Sequence, residues 1–348
     1  MISIIPTTTA RHDPPHEFLD GALVPVFESP ERAAIIRDAL QAAALGACMP
    51  PRSFGIEPIR AIHSAAYLEY LEHAYERWVA AGGAPEAVLP STLAVRWMAR
   101  PSADPLAAPG FYCFDLSAPI VAGTFAAACD SAAAALTGAA LLIEGQPAAY
   151  ALCRPPGHHA GSDMCGGYCY LNNAAIAAQY LIDHAARPCR VAILDIDFHH
   201  GNGTQQIFYE RADVFFASLH ADPAHHYPYF LGYPDERGAG VGYGTNLNLV
   251  LDAGVSDTVF LAALTTALDA VAAYAPSYLI ISAGLDTFAG DPVAANSGSF
   301  ALSSAAFPAI GRQIARLDLP TLFVQEGGYA VAELGENVVG LLRGFVQR

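Results

Sequence analysis

Short apolar runs with no polar alternation recur along the second part of this chain, at residues 149–153, 191–194, 214–217, 279–282 and 321–324. A strand that is apolar on both faces must be covered on both faces, and the stretches between the runs, such as 123–142, are helical in character. The pattern predicts an α/β class, with a mostly parallel central sheet flanked by helices. The chain has 348 residues, 53% of them hydrophobic, with no internal repeat and no shift of composition. One large core and a single domain over residues 1–348 are therefore expected.

The N-terminal third mixes short apolar pieces with helix-like runs and reads as a helical scaffold. Ser29 is placed to cap a helix over ERAAIIRDALQAA, with Pro30 at its first position. Residues 88–110 carry prolines and a glycine without a sustained period, as expected of an extended surface loop that shapes an entrance or a subunit contact. The longest apolar stretches, such as 191–194 and 279–281, are too short to cross a bilayer, and the first residues lack a basic region followed by an apolar one. No membrane partner and a cytoplasmic location are expected. A formal charge of −16 without clustered Lys and Arg argues against nucleic acid and would attract cations. The seven cysteines suit neither a disulfide framework nor paired zinc knuckles, so reduced thiols are expected.

Ligands of open α/β sheets bind at the carboxyl ends of the strands, and each run here leads into reactive residues. After 149–153 come Arg154, His158 and His159, and after 191–194 come Asp195, Asp197, His199 and Asn202. Ser218 and His220 follow the third run, Asp286 the fourth, and Gly327, Gly328 and Tyr329 the fifth. Residues two apart on an extended chain project to one side, so Asp197 and His199 would converge on one ion, with Asp286 arriving from another strand. Two carboxylates and one imidazole leave a tetrahedral zinc with an open position, which is the catalytic and not the structural pattern. An isolated Asp-x-His triplet or His-His pair is more often a capped turn or a surface pair, but here the other strand ends aim at the same region. A neutral imidazole from His158 or His159 has the pKa to move a proton between water and a departing amine, with Asp195 and Asn202 as the nearest orienting acceptors. The Tyr329 hydroxyl, after two permissive glycines, would donate to the oxyanion of a tetrahedral intermediate.

The motifs RPPGHHA (154–160), GYCYLNNAAIAA (167–178), DIDFHHGNGTQ (195–205), SLH (218–220), GLDTFAGDP (284–292) and EGGY (326–329) stand in that order. Together they resemble the histone deacetylase superfamily, and within it they look most like the acetylpolyamine amidohydrolases. The resemblance implies an arginase/deacetylase-like fold and a zinc-dependent hydrolase of linear amides. It implies one zinc per subunit on Asp197, His199 and Asp286, with His159 as general base, His158 paired to Asp195, and Tyr329 polarising the acetyl carbonyl. Asn202 stands where several relatives have an aspartate beside the base histidine, which would leave His159 less biased towards its protonated form. Structural potassium is implied around Asp195, Asp197, His199, Ser218 and Leu219, and again at carbonyls near Phe208, Arg211 and Val214. Gly167, Tyr168 and Tyr227 would wall a tunnel that grips an aliphatic stem.

The implied substrate is a small cationic acyl-amine, an N-acetylated polyamine or diamine, and acetyl-lysine in proteins or peptides is the alternative. Polyamine-specific relatives carry acidic residues before the PPGHH segment, where this chain has Leu106 and Ser117, with Asp104 and Asp115 nearby. The loop 88–110 matches an insertion that narrows the entrance and builds a dimer in those enzymes, so a homodimer is implied. Two rival readings differ in kind. Ureohydrolases bind two manganese ions through D-A-H-x-D, whereas this chain reads Asp-x-Asp-x-His with no second-metal aspartate after His199. A catalytically silent acyl-amine binding protein would keep the pocket without turnover.

Overall fold

The computed structural model describes residues 1–295 and 298–347. Its strands in chain order are β1 (Ile2–Ile4), β2 (His16–Leu19), β3 (Ala22–Pro25), β4 (Cys48–Met49), β5 (Ala148–Ala151), β6 (Val191–Asp195), β7 (Val214–Ala221), β8 (Asn246–Leu251), β9 (Tyr278–Ala283) and β10 (Thr321–Gln325). Among the described residues, eight of these form one sheet in the order β4-β1-β5-β10-β9-β6-β7-β8. Its pairings are parallel. β2 and β3 form a separate antiparallel hairpin.

The two-residue period of the strands divides the core into two layers. Val191 and Ile193 of β6 enter one layer, while Ala192 and Leu194 enter the other. Leu322 and Val324 of β10 join the first layer and Phe323 the second. Helices Thr124–Ile143 and Asn173–His184 close the first layer; Pro30–Ala43, Asp257–Tyr274, Ala306–Ala315 and Val331–Val346 close the second. Small side chains let the first of these helices lie close to the sheet. A Cβ at Gly138 would meet Leu322 Cδ1 at 2.3 Å.

The chain lays down β5, jumps to β6, runs outwards through β7 and β8, and returns with β9 and β10 to fill the gap. The reversal leaves a crevice at the carboxyl ends of β5, β10, β9 and β6, where such sheets bind ligands.

Three expectations need correction. The N-terminal third is more than helical scaffold, because β1 and β4 extend the sheet and the β2–β3 hairpin reaches the central cavity. Ser29 is extended and Pro30 opens the helix, but the Ser29 hydroxyl makes no capping hydrogen bond. Helices Thr124–Ile143 and Asp257–Tyr274 are long and apolar enough to cross a bilayer, contrary to the expectation of short apolar stretches. The first is largely buried in the core, and the second turns Phe260, Leu264, Ala267, Leu268 and Val271 onto the second layer.

Candidate metal and active site

Asp197 and His199 lie just beyond β6, and Asp286 lies just beyond β9, the neighbouring strand. Their ligand atoms all fall within 4.8 Å of one another. His199 Nδ1 is 2.9 Å from Asp286 Oδ2 and 3.3 Å from Asp197 Oδ1. The local cause differs from the one expected, because residues 196–199 have already left the strand and bend. Asp197 Oδ1 accepts the His199 backbone N–H at 2.9 Å, and Asp286 Oδ1 accepts that of Phe198 at 2.9 Å. Side chains bonding to backbone, not strand alternation, bring these three residues together.

The donor set fits a divalent cation. Two buried carboxylates and an imidazole face one another in a space that glycines keep open. A Cβ on Gly284 would sit 1.9 Å from Asp197 Oδ2, and one on Gly327 would sit 2.7 Å from Asp197 Oδ2 and 2.8 Å from Asp286 Oδ2. Burial, with the Asp197 charge, pushes Asp286 up to about 7. Burial opposes charge on His199, but Asp197 and Asp286 override it and raise the imidazole to about 9. Such crowded negative charge in a buried place calls for a cation, and mixed nitrogen and oxygen donors suit zinc.

The turn that carries His158 and His159 is fixed from β10. Glu326 Oε2 accepts the backbone N–H groups of Gly157 at 2.7 Å and His158 at 3.2 Å. His158 Nδ1 lies 3.0 Å from Asp195 Oδ2, and His159 Nδ1 lies 2.7 Å from Asn202 Oδ1. Donation of Nδ1–H to Asn202 leaves Nε2 of His159 as an acceptor. The environments separate the two rings. Burial, then the charges of His158 and His199, hold His159 well below its ordinary value. Burial acts in the same direction on His158, but Asp197 and Asp195 outweigh it and raise that ring to about 10. The two adjacent rings are thus set apart by their surroundings, with His159 favoured in its neutral form.

The turn bearing Tyr329 is tied down at three points. Gly327 N–H donates to Asp197 Oδ2 at 2.9 Å, and Asp291 Oδ2 accepts from the backbone N–H of Tyr329 and Ala330 at 2.6 and 3.1 Å. Buried Arg32 donates to the carbonyls of Gly328 (2.6 Å) and Glu326 (2.8 Å), and its guanidinium lies 4.7 Å from the centre of the Tyr329 ring. Gly328 has a φ of +118°, which excludes most side chains.

His158, His159, Asp197, His199 and Tyr329 line one cavity of about 220 Å³, together with Gly167, Tyr168 and Tyr227. Gly167, at φ +52°, has no room for a side chain, since a Cβ would meet His159 Cδ2 at 2.3 Å. The Tyr227 hydroxyl donates to Asp115 Oδ2 at 2.6 Å, and the Gly167 N–H donates to the same oxygen at 2.9 Å. Ser117 adds its backbone N–H and its hydroxyl to the Asp115 carboxylate, which is thereby committed to holding the wall. Ser117 lines the cavity, whereas Asp104 is spent on the backbone N–H of Leu106 within loop 88–110.

The remaining residues of the sequence analysis fall on neighbouring segments. Asp195 and Ser218 are register partners on β6 and β7, Leu219 follows Ser218, and Ser218 Oγ lies 2.8 Å from His220 Nδ1. Phe208 ends the helix Asn202–Phe208, Arg211 lies on the connection into β7, and Val214 opens β7. There the Phe208 carbonyl accepts the Arg211 N–H at 2.9 Å, and the Arg211 carbonyl accepts the Thr245 hydroxyl at 2.9 Å. Sequence reasoning missed Arg32, Glu28 and Asp291, which brace the site from a distance. Glu28 Oε1 accepts from Arg32 Nη1 at 2.6 Å and lies 2.9 Å from Arg154 Nε. Glu28 and Arg32 are an i,i+4 pair and Asp291 falls within the 284–292 segment, but none of the three stands at a strand end.

Comparison with known proteins bears on the whole chain. The Histone deacetylase domain model matches residues 26–345. Acetylpolyamine amidohydrolase 1 of Pseudomonas aeruginosa is 48% identical over 348 residues, covering 99% of this chain and 99% of its own. Acetylpolyamine amidohydrolase of Mycoplana ramosa is 47% identical over 328 residues, 94% of each chain. A crystal structure of the acetylpolyamine aminohydrolase of Burkholderia pseudomallei superposes with a TM-score of 0.93 at 40% identity, covering 100% of this chain and 99% of the other.

Proposed function

The chain belongs to the histone deacetylase family of hydrolases, and from that premise we propose that it hydrolyses the acyl-amide bond of N-acetylated diamines and polyamines, releasing acetate and the free amine, with zinc on Asp197, His199 and Asp286. The observation that carries this reading is the clustering of those three residues beside a cavity that Asp197 and His199 line together with His158, His159 and Tyr329. The names of full-length relatives support the substrate class.

A divalent ion in this cage supplies Lewis-acid polarisation of the amide carbonyl and makes water more acidic. The chain's own residues do the rest. Tyr168 and Tyr227 flank the methylene stem and exclude water from it. His159 Nε2 takes a proton from the attacking water as the new C–O bond forms, and Asn202 holds the ring in the required tautomer. The Tyr329 hydroxyl donates to the oxygen that gains charge, held in place by the Arg32 and Asp291 contacts to its turn. His158, held by Asp195, lines the cavity beside His159 and offers its ring to the same region. When the C–N bond breaks, the proton returns from the imidazole to the leaving nitrogen.

The proposal extends to potassium at the Asp195, Ser218 and Leu219 segment and at the Phe208, Arg211 and Val214 carbonyls, to a cytoplasmic location, and to a homodimer. Loop 88–110 supports the last, since Trp97 is 83% exposed and Val95 and Met98 are exposed beside it. The alternative of acetyl-lysine peptides draws on Leu106 and Ser117 replacing acidic residues. Side-by-side rates on acetylputrescine, acetylcadaverine, acetylspermidine and an acetyl-lysine peptide, with and without a chelator, test the proposal. Preference for the diamines with loss of rate on chelation is expected. Preference for the peptide establishes the alternative, and a metal-loaded protein inert on all four is a silent binder.

A further inference from the structure

The polyamine reading leaves the far ammonium group of the substrate without a partner, because Asp115 is fully engaged, position 106 is leucine and position 117 is serine. Two carboxylates line the cavity, Asp197 in the metal cage and Asp20. Asp20 and Gly21 form the two-residue turn between β2 and β3, with Leu19 paired to Ala22 across it. Both turn residues have positive φ, +49° and +83°, as a tight hairpin of this kind requires. Asp20 is exposed and makes no hydrogen bond or ion pair with another described residue. The hairpin behind it is fixed, since Glu17 of β2 is buried and accepts the Phe27 N–H at 3.0 Å. Tyr229, 44% exposed, lines the same cavity and offers an aromatic face to a cation.

Resting on the polyamine reading, we propose that Asp20 is a specificity-determining residue that receives the distal ammonium of a short acetylated diamine at the cavity rim, with Tyr229 as its aromatic neighbour. The carboxylate stands on a rigid turn and is not spent on the protein, so its charge is available to a ligand. A deep acyl-amide end and a rim ammonium define a linear substrate with a fixed spacing between its two nitrogens. The charge of −16 adds attraction at longer range.

The test uses zinc-loaded protein, monoacetylcadaverine, and N-hexylacetamide, in which a methyl group replaces the ammonium. Asn tolerates a left-handed backbone as well as Asp does, so Asp20→Asn removes the charge and keeps the turn. The variant should raise KM for monoacetylcadaverine by roughly 3- to 10-fold with kcat retained, as for a partly exposed charge pair. It should leave N-hexylacetamide unchanged, and the wild-type preference for the cation should shrink with added salt more steeply than that of the variant. Equal KM on monoacetylcadaverine, or equal losses on both substrates, would overturn the role of Asp20 while leaving the polyamine reading in place. Wild-type protein that turns over an acetyl-lysine peptide but not monoacetylcadaverine would overturn both.

Discussion

Gly284→Ala probes the proposed metal cage without replacing any of its ligands. Gly284 directly follows β9, and a Cβ there would lie 1.9 Å from Asp197 Oδ2, 2.3 Å from its Cγ and 2.5 Å from its Cβ. Non-bonded carbon contacts settle at about 3.5–4.0 Å, so the Asp197 carboxylate has to retreat by more than about 1 Å. Metal sites tolerate displacements of only about 0.2 Å in ligand distance. The same retreat breaks the 2.9 Å hydrogen bond from Gly327 N–H that orients the carboxylate. Loss of an orienting partner alone costs about 10- to 100-fold in metal affinity, so displacing the ligand itself should weaken zinc by about 100-fold or more. At a fixed zinc concentration above both dissociation constants, that factor removes about 2.7 kcal/mol of zinc-dependent stabilisation. Zinc competition against a chromophoric chelator, with melting curves of the zinc-free and zinc-loaded forms, reads both quantities. Unchanged zinc affinity in a folded Ala variant would refute the placement of Asp197 as a ligand.

Two further predictions concern the phenol and a buried acid. Tyr329→Phe should lower kcat by about 100-fold or more while leaving zinc content intact, in line with removal of one oxyanion donor; an unchanged rate makes Tyr329 a packing residue. Burial pushes Glu17 up from 4.5 to about 7, so between these values the folded chain holds a proton that the unfolded chain has released. Stability therefore falls as pH rises through that window, by about 3 kcal/mol in all. Glu17→Gln abolishes this loss, and urea melts at pH 5 and pH 8 should show the variant gaining on the wild type at the higher pH. Parallel pH dependence of the two proteins would contradict the assignment.

The sheet was legible where its strands are buried on both faces, because β5, β6, β7, β9 and β10 have no polar alternation to obscure them. β8 was missed for the opposite reason. Asn246 and Asn248 interrupt its apolar pattern, and both donate to Gln205 Oε1 at 2.9 Å, a polar contact that hydropathy cannot reveal. β1 and β4, at three and two residues, are too short to show a period. The Asp20-Gly21 pair is a hairpin signal that points to the β2–β3 turn. Asp197, His199 and Asp286 were selected from their strand ends, although the bends after β6 and not the strand itself bring them together. Arg32 and Asp291 were invisible because the groups they hold on the Tyr329 turn are remote in sequence. Arg32 reaches a carbonyl 296 positions away.

The most direct test is anomalous diffraction at the zinc absorption edge from crystals of the zinc-loaded protein. One strong peak per chain is expected, about 2.0–2.2 Å from donor atoms of Asp197, His199 and Asp286. A peak on other residues, or two metal peaks sharing the cage, would contradict this placement.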